Sequence, residues 1–227
     1  MVILSGASGG IGQSVIPLLL QDHQVIGLYH AHRPTLPASD RLTLEQVDLT
    51  SAASVSALIE TLKPTLERVT VVHCAVQSID GLAAQYREED WDAVMNVNLK
   101  GDFLLTKALL PIMMQHQWGR IVHISSVAGE EGVPGVIGYA ASKTGVLGMS
   151  RVLAKEYARF GITSNVLRLG YFDVGLIDQL SEKFKNQILD AIPSKKLGRV
   201  DSIVHAVNFL IQADYANGAV ISIDGGM

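Results

Sequence analysis

The sequence predicts an α/β fold: a single-domain, doubly wound parallel sheet of about seven strands with helices on both faces. Three observations predict it. Short apolar runs alternate along the chain with longer segments of helical period, the pattern of strands joined by crossover helices. The first run, Val2-Ile3-Leu4, leads into Ser5-Gly6-Ala7-Ser8-Gly9-Gly10-Ile11-Gly12, and Ile11, Val15, Leu18 and Leu19 follow at helical spacing. Polar residues of chemical use, Asp48 and Ser126 among them, fall at the carboxyl ends of the runs, where such sheets bind ligands.

Taken in order, the strand, glycine turn and helix at the start make the context of a phosphate-binding loop. Gly6 permits the tight turn. Gly10 and Gly12 permit close backbone approach to a pyrophosphate, and the helix start offers N–H groups and a positive dipole end. Residues 24–29 read as the second strand. An NAD site places an acid at its end to bond the ribose hydroxyls. Here the end is Tyr29-His30-Ala31-His32-Arg33, which holds no acid and several basic residues. That suits a 2′-phosphate, so NADP(H) is expected over NAD, with Arg33 the leading contact before His30 and His32.

Residues 42–47 read as the third strand, ending at Asp48-Leu49, and Ser51 caps a helix that Pro64 stops at about residue 63. The fourth strand spans 69–75. Residues 91–115 form a long apolar segment that contains Asn96 and Asn98, is weakened at Gly101, and is bent or ended by Pro111. The fifth strand, 121–124, carries Ser125 and Ser126 at its tip. A helix opened by Gly138-Tyr139-Ala140-Ala141-Ser142-Lys143 follows, then a sixth strand at 163–169. Residues 171–199 turn amphipathic and polar, which suits a mobile segment over a substrate pocket. A last helix at 203–210 and a last strand at 219–223 lead to Asp224-Gly225-Gly226. One domain over 1–227 is expected.

Composition narrows the function. A formal charge of −4 without a Lys/Arg-rich run gives no case for nucleic acid. The single Cys74 excludes an internal disulfide framework and suits a reducing compartment. No basic segment precedes an apolar core at the start, and no apolar run is long enough to span a membrane, so a cytoplasmic location is expected. No metal-ligand spacing occurs. With 48% apolar and 18% charged residues, the chain can fill a core and still bury surface against copies of itself. On the long helix Tyr139 and Lys143 are an i, i+4 pair, and an ammonium beside a phenol favours the phenolate, which makes the tyrosine a usable proton donor or acceptor.

The chain resembles the short-chain dehydrogenase/reductase superfamily over essentially its whole length, and within it the 3-oxoacyl-acyl-carrier-protein reductases and related ketoreductases. The resemblance rests on Gly6-x-x-x-Gly10-Ile11-Gly12, Asp48-Leu49, Asn98-Leu99-x-Gly101, Ser125-Ser126 and Tyr139-x-x-x-Lys143. Ile192-Pro193, Leu197-Gly198-Arg199 and Asp224-Gly225-Gly226 continue it. It implies a Rossmann-like domain with Tyr139 as proton donor in ketone reduction and base in alcohol oxidation. It implies that Lys143 lowers the Tyr139 pKa and holds the nicotinamide ribose. Ser126, at the family's usual interval before Tyr139, would orient the carbonyl, with Ser125 the fallback, and Asn98 would anchor a water in a proton relay. The expected cofactor contacts are Gly6, Ser8, Gly10, Ile11, Gly12, Arg33, Asp48, Leu49, Ala75 and Gly170, with Tyr139 and Lys143. The substrate expected is a small-molecule or carrier-bound carbonyl, foremost a 3-oxoacyl thioester, and the assembly a homodimer or homotetramer. A reductase of a sugar, polyketide or other secondary-metabolite ketone is the alternative enzyme. A dinucleotide-binding regulatory protein without turnover is the alternative class.

The chain departs from the family at three places. Asn-Asn-Ala-Gly after the fourth strand is here His73-Cys74-Ala75-Val76, Pro-Gly after the sixth is Leu169-Gly170, and a frequent threonine falls at Val174. His73 and Cys74 are expected to be strand-end packing residues.

Overall fold

The computed structural model describes residues 1–175, 177 and 181–227. Seven parallel strands form one sheet: β1 (Val2–Ser5), β2 (Val25–Tyr29), β3 (Leu42–Gln46), β4 (Val69–His73), β5 (Gly119–Ser126), β6 (Ile162–Leu169) and β7 (Val220–Ile223). Their order is β3-β2-β1-β4-β5-β6-β7. β1 pairs with β2 on one side and β4 on the other, with Ser5 opposite Leu28 and His73. The chain therefore winds outward in both directions from β1, and the crevice where ligands collect opens at the carboxyl ends of β1 and β4.

Alternate strand residues divide the core into two layers. Val2, Leu4, Val72, Val122 and Leu167 pack under α1 (Gly10–Leu19) and α8 (Val200–Gln212), through Val15, Ile16, Leu19, Ile203 and Val207. Ile3, Ile26, Val69, Val71 and Ile121 pack on the opposite face. There they meet Val55 and Ile59 of α2 (Ala52–Leu62), Leu105, Leu109 and Met113 of α4 (Gly101–Gln115), and Leu153 of α6 (Ile137–Tyr157). Ser51 caps α2 by accepting from the Ser54 N–H, and Pro64 lies in the 3₁₀ turn that follows.

The 91–115 segment corrects one expectation. Pro111 does not end the helix but sits inside α4. The hydrogen bond it cannot donate is offset by burial of Leu109, Leu110, Ile112 and Met113 around it. The irregularity lies earlier. α3 (Glu88–Met95) runs into a π-helical turn at Asn96–Lys100 before α4 begins, and that turn carries Asn98. Short α5 (Ala128–Glu131) and α7 (Glu182–Ala191) complete the helices used below. Of the 171–199 segment expected to cover a substrate, residues 176 and 178–180 lie outside the described residues. No helix among the described residues is long and apolar enough to cross a membrane.

Leu105, on the sheet-facing side of α4, is fully buried. Leu105→Ala should lower unfolding free energy in urea by about 2–5 kcal/mol through lost transfer energy and a residual cavity. A loss near zero would mean that this layer can collapse around the gap.

Candidate active site

A cleft of about 570 Å³ opens at the switch point, walled by Gly6, Ser8 and Gly9, by Tyr29 and His30, by Asp48, Leu49 and Thr50, and by Cys74 to Gln77. Its floor is the meeting of the glycine turn with the tip of β4. The Ser5 hydroxyl accepts from the N–H groups of Cys74 and Ala75 at 3.0 and 3.1 Å. Gly6 has φ +74°, and a Cβ there would come within 2.7 Å of the Ala75 backbone. The turn thus needs glycine both for its backbone angle and for its closeness to β4.

The other two glycines make room for the chain itself. A Cβ on Gly12 would strike the Gly6 carbonyl oxygen, and one on Gly10 would come within 2.5 Å of Gly175 Cα. The missing side chain thus also permits loop closure at Gly12 and the approach of the segment after β6 at Gly10. Gly170 likewise makes room for Asp224, to whose backbone its Cβ would approach within 2.7 Å, rather than lining the cleft. Arg33 is exposed and lies outside the cleft lining, whereas Tyr29 and His30 are part of it.

The cleft nevertheless fits the adenosine half of a dinucleotide. No side chain caps the first turn of α1, whose N-cap is Gly9, so that turn presents backbone donors to an anion. Asp48 Oδ1 accepts from the Thr50 hydroxyl and N–H at 2.7 and 2.9 Å. The Thr50 hydroxyl, and then its N–H, hold the Asp48 carboxyl below the usual carboxylate range. Among the described residues its second oxygen makes no hydrogen bond and is available to a donor in the cleft.

Beside this cleft the tip of β5 meets α6. Lys143 is 3% exposed, and its Nζ donates to the Ile124 carbonyl at 2.8 Å. The buried Ser125 hydroxyl donates to the Lys143 carbonyl at 2.8 Å. Lys143 Nζ lies 5.9 Å from the centroid of the half-buried Tyr139 ring, one turn earlier. Ser125 is thereby committed to holding the helix. Ser126, half-buried at the strand tip, accepts from the Ala128 N–H at 3.2 Å and keeps its own proton to donate.

Asn98 is fully buried. Its Oδ1 accepts from the Gln77 N–H at 2.7 Å, and its Nδ2 donates to the Gln77 carbonyl at 2.9 Å and to Ser142 Oγ at 3.0 Å. Ser142 passes the bond on to the Tyr139 carbonyl at 2.7 Å. The Asn98 side chain therefore braces the loop after β4 against the first turn of α6, and its amide donors are used in doing so.

Two features escape sequence reasoning. Tyr171 lies near Tyr139, and burial pushes its phenol up, helped by Glu131 and Tyr139. Nothing in its local sequence signals this, because β6 and α6 are brought together only by the sheet. The second feature is a buried polar cluster under the site. His73 and His123 face each other across β4 and β5, with ring centroids 4.9 Å apart and planes 11° from parallel. Asp102 of α4 sets one oxygen 3.3 Å from His73 Nδ1 and the other 3.5 Å from His123 Nδ1, and His73 Nε2 lies 2.8 Å from the Thr106 hydroxyl. Burial by itself raises the Asp102 carboxyl, but the two histidines outweigh it and hold the group well below the usual carboxylate range. Burial pushes the His123 imidazole down against the pull of Asp102. His73 is therefore more than a strand-end packing residue. Cys74 lines the cleft, and burial pushes its thiol up to about 11, which leaves it protonated and unreactive near neutrality.

Residues 1–185 match the family model described as short chain dehydrogenase. Nodulation protein G of Rhizobium sp. (strain N33) is 37% identical over 234 residues, which cover 99% of this chain and 95% of that protein. The 3-oxoacyl-acyl-carrier-protein reductases FabG of Rickettsia felis and Thermotoga maritima are 36% and 33% identical, over 99% of this chain and 95% and 96% of theirs. In fold, the chain is similar to a crystal structure of a candidate gluconate dehydrogenase from Agrobacterium tumefaciens. That match has a TM-score of 0.89 at 23% identity and covers 100% of this chain and 95% of the other.

The buried cluster makes stability depend on pH. The lowered His123 favours its neutral form in the fold, so unfolding below the ordinary imidazole value of about 6.5 takes up a proton. That stability is fully present above about 6.5 and is lost as pH falls. The Asp102 contribution acts in the same sense, but only below the unfolded carboxylate value of about 4. The melting temperature should therefore drop between about pH 7.5 and about pH 5.5. The drop should be shallower in His123→Gln, and equal drops in the two proteins would refute the assignment.

Proposed function

We infer, because the chain belongs to the short-chain dehydrogenase family and is an oxidoreductase of that family, that its reaction is the NADP(H)-dependent reduction of a ketone to a secondary alcohol, or the reverse, with a 3-oxoacyl thioester as the substrate class. The observation that carries this reading is the Tyr139–Lys143 pair held against the β5 tip beside Ser126, at the edge of the switch-point cleft.

A bound nicotinamide supplies the hydride. The protein's own part is binding, orientation and the proton. Tyr139 gives its phenolic proton to the carbonyl oxygen during reduction and takes a proton from the alcohol during oxidation. The Lys143 ammonium offsets the negative charge left on the tyrosine oxygen and would also hold the ribose hydroxyls. The Ser126 hydroxyl donates to the carbonyl oxygen and so sets its orientation. Asn98 keeps the Tyr139 turn in place through Ser142. Gly6, Ser8, Gly10, Ile11 and Gly12 would hold the phosphates at the α1 start, while Asp48, with Leu49 and Ala75 beside it, would hold the adenine. His30 and Arg33 at the acid-free end of β2 favour the 2′-phosphate of NADP(H), and Gly170 shapes the turn next to Tyr171. The 171–199 segment would cover the substrate.

A thioester substrate is supported by the near full-length similarity to proteins named 3-oxoacyl-acyl-carrier-protein reductases. Self-association is supported by apolar surface on α3, α4 and α6. Phe103 and Val152 are 48% and 52% exposed, and a groove of about 850 Å³ runs past Ile137, Ala141, Gly145 and Gly148.

Tyr139→Phe should cut kcat for NADPH oxidation with a 3-oxoacyl thioester by about 10²-fold or more while leaving the NADPH Kd within about twofold. Undiminished turnover would sink the mechanism. In the same titration NADPH should bind more tightly than NADH, and equal or reversed affinities would remove the 2′-phosphate argument. Sedimentation at micromolar concentration should show a dimer or tetramer that Phe103→Glu weakens, and a native monomer would count against self-association.

A further inference from the structure

The site holds a buried cation whose counter-charge is not in contact with it. Lys143 is 3% exposed and, among the described residues, has no carboxylate within ion-pair distance. Its ammonium makes one neutral hydrogen bond, to the Ile124 carbonyl. A buried ammonium in such surroundings is costly unless an opposite charge lies near enough to act through the low-dielectric interior. The residue before Ile124 on the same strand is His123, whose ring stands against Asp102. Asp102 is only 2% exposed.

The cluster around Asp102 is built to keep a charge rather than to satisfy hydrogen bonds. Its two contacts, at 3.3 and 3.5 Å, are at ion-pair distance, yet Asp102 Oδ1 and both Nδ1 atoms find no aligned hydrogen-bond partner. His123 Nε2 is buried without a partner among the described residues. Stacking at 4.9 Å disfavours two charged rings side by side, so the histidines cannot both become cations without repulsion. Asp102 on α4 thus faces His73 on β4 and His123 on β5, while Lys143 on α6 faces Tyr139. His123 and the Cys74 side chain lie within reach of both charges and feel them with opposite sign.

We propose that Asp102 is the counter-charge of Lys143, acting across the His123 ring, and a positioning residue for the Tyr139–Lys143 pair. The carboxylate stabilises the ammonium where it must stand for proton transfer and tempers the positive potential at the Tyr139 oxygen. This rests on the reading of Tyr139 and Lys143 as the proton-donating pair.

The test is a pH titration of the tyrosinate ultraviolet band, assigned to Tyr139 by subtracting the spectrum of Tyr139→Phe. Asp102→Asn removes a negative charge and leaves the potential at Tyr139 more positive, which favours the phenolate. The tyrosinate midpoint should move to lower pH by on the order of one unit, and the pH midpoint of kcat for alcohol oxidation should move the same way. His123→Gln keeps the Asp102 charge, so it should lower the melting temperature without moving the midpoint. The triple variant His73→Asn, Asp102→Asn, His123→Asn replaces the cluster with amides that can bond one another. It should reproduce the downward shift, and it decides the matter if Asp102→Asn alone fails to fold. An unmoved or raised midpoint in a folded variant lacking the carboxylate would overturn the proposal and leave Asp102 as the partner of His73 alone. Because the band is read without turnover, a shift in a protein inactive on every ketone would refute the substrate reading and keep the counter-charge. Turnover with no shift would do the reverse.

Discussion

The site depends on a reciprocal clasp between one residue and one strand tip. Lys143 sends its ammonium to the Ile124 carbonyl and receives the Ser125 hydroxyl on its own carbonyl. Two bonds in opposite directions, both buried, fix α6 against β5 in position and in rotation about its axis. Tyr139 lies one helical turn before the clasp and Ser126 one residue beyond it, so both inherit their places from it. The charge of Lys143 is thereby in use twice, once as a structural donor and once as the cation facing the phenol.

Around the clasp the chain makes its switch-point cleft out of backbone approaching backbone. Gly6 lies on Ala75, Gly12 on Gly6, Gly10 on Gly175 and Gly170 on Asp224, each at a distance that a Cβ would forbid. These contacts let the loops after β1, β4, β6 and β7 converge without intervening side chains. The same convergence packs polar groups into the interior, where they must satisfy one another. Asn98 serves Gln77 and Ser142, and Asn165 serves Ala216 and Ala219. Asp102 with its two histidines is instead left with contacts at ion-pair distance and without aligned bonds at Asp102 Oδ1 and both Nδ1 atoms.

Much of the fold was legible because it rests on local pattern. Strand alternation, the Ser51 cap, Pro64 after α2 and the i, i+4 spacing of Tyr139 and Lys143 are all written in short stretches. The adjacent serines differ in the structure in a way their sequence does not show: the Ser125 hydroxyl is used inside the clasp, while Ser126 accepts from the Ala128 N–H at the strand tip. The π-turn at Asn96–Lys100 was not legible, because the apolar period of 91–115 runs through it; Gly101, just after it, read only as a weak point, and Pro111 as the bend or end. The glycines were read for a ligand, and their close approach to distant backbone at Ala75, Gly175 and Asp224 was not legible. A residue's nearest non-local neighbour leaves no trace in its own window.

By itself, then, the sequence determined the parallel α/β architecture, the glycine turn at the first strand and the set of chemical residues at the strand ends. Hydrophobic period, capping and turn preference act over a few residues and need nothing else. Only the tertiary structure decided which of those residues lie together, which serine holds the helix, what Asn98 bonds and that His73, Asp102 and His123 meet. Those outcomes follow from strand order and helix docking, which bring together residues far apart in the chain. Burial then turns the separate side chains into one electrostatic system.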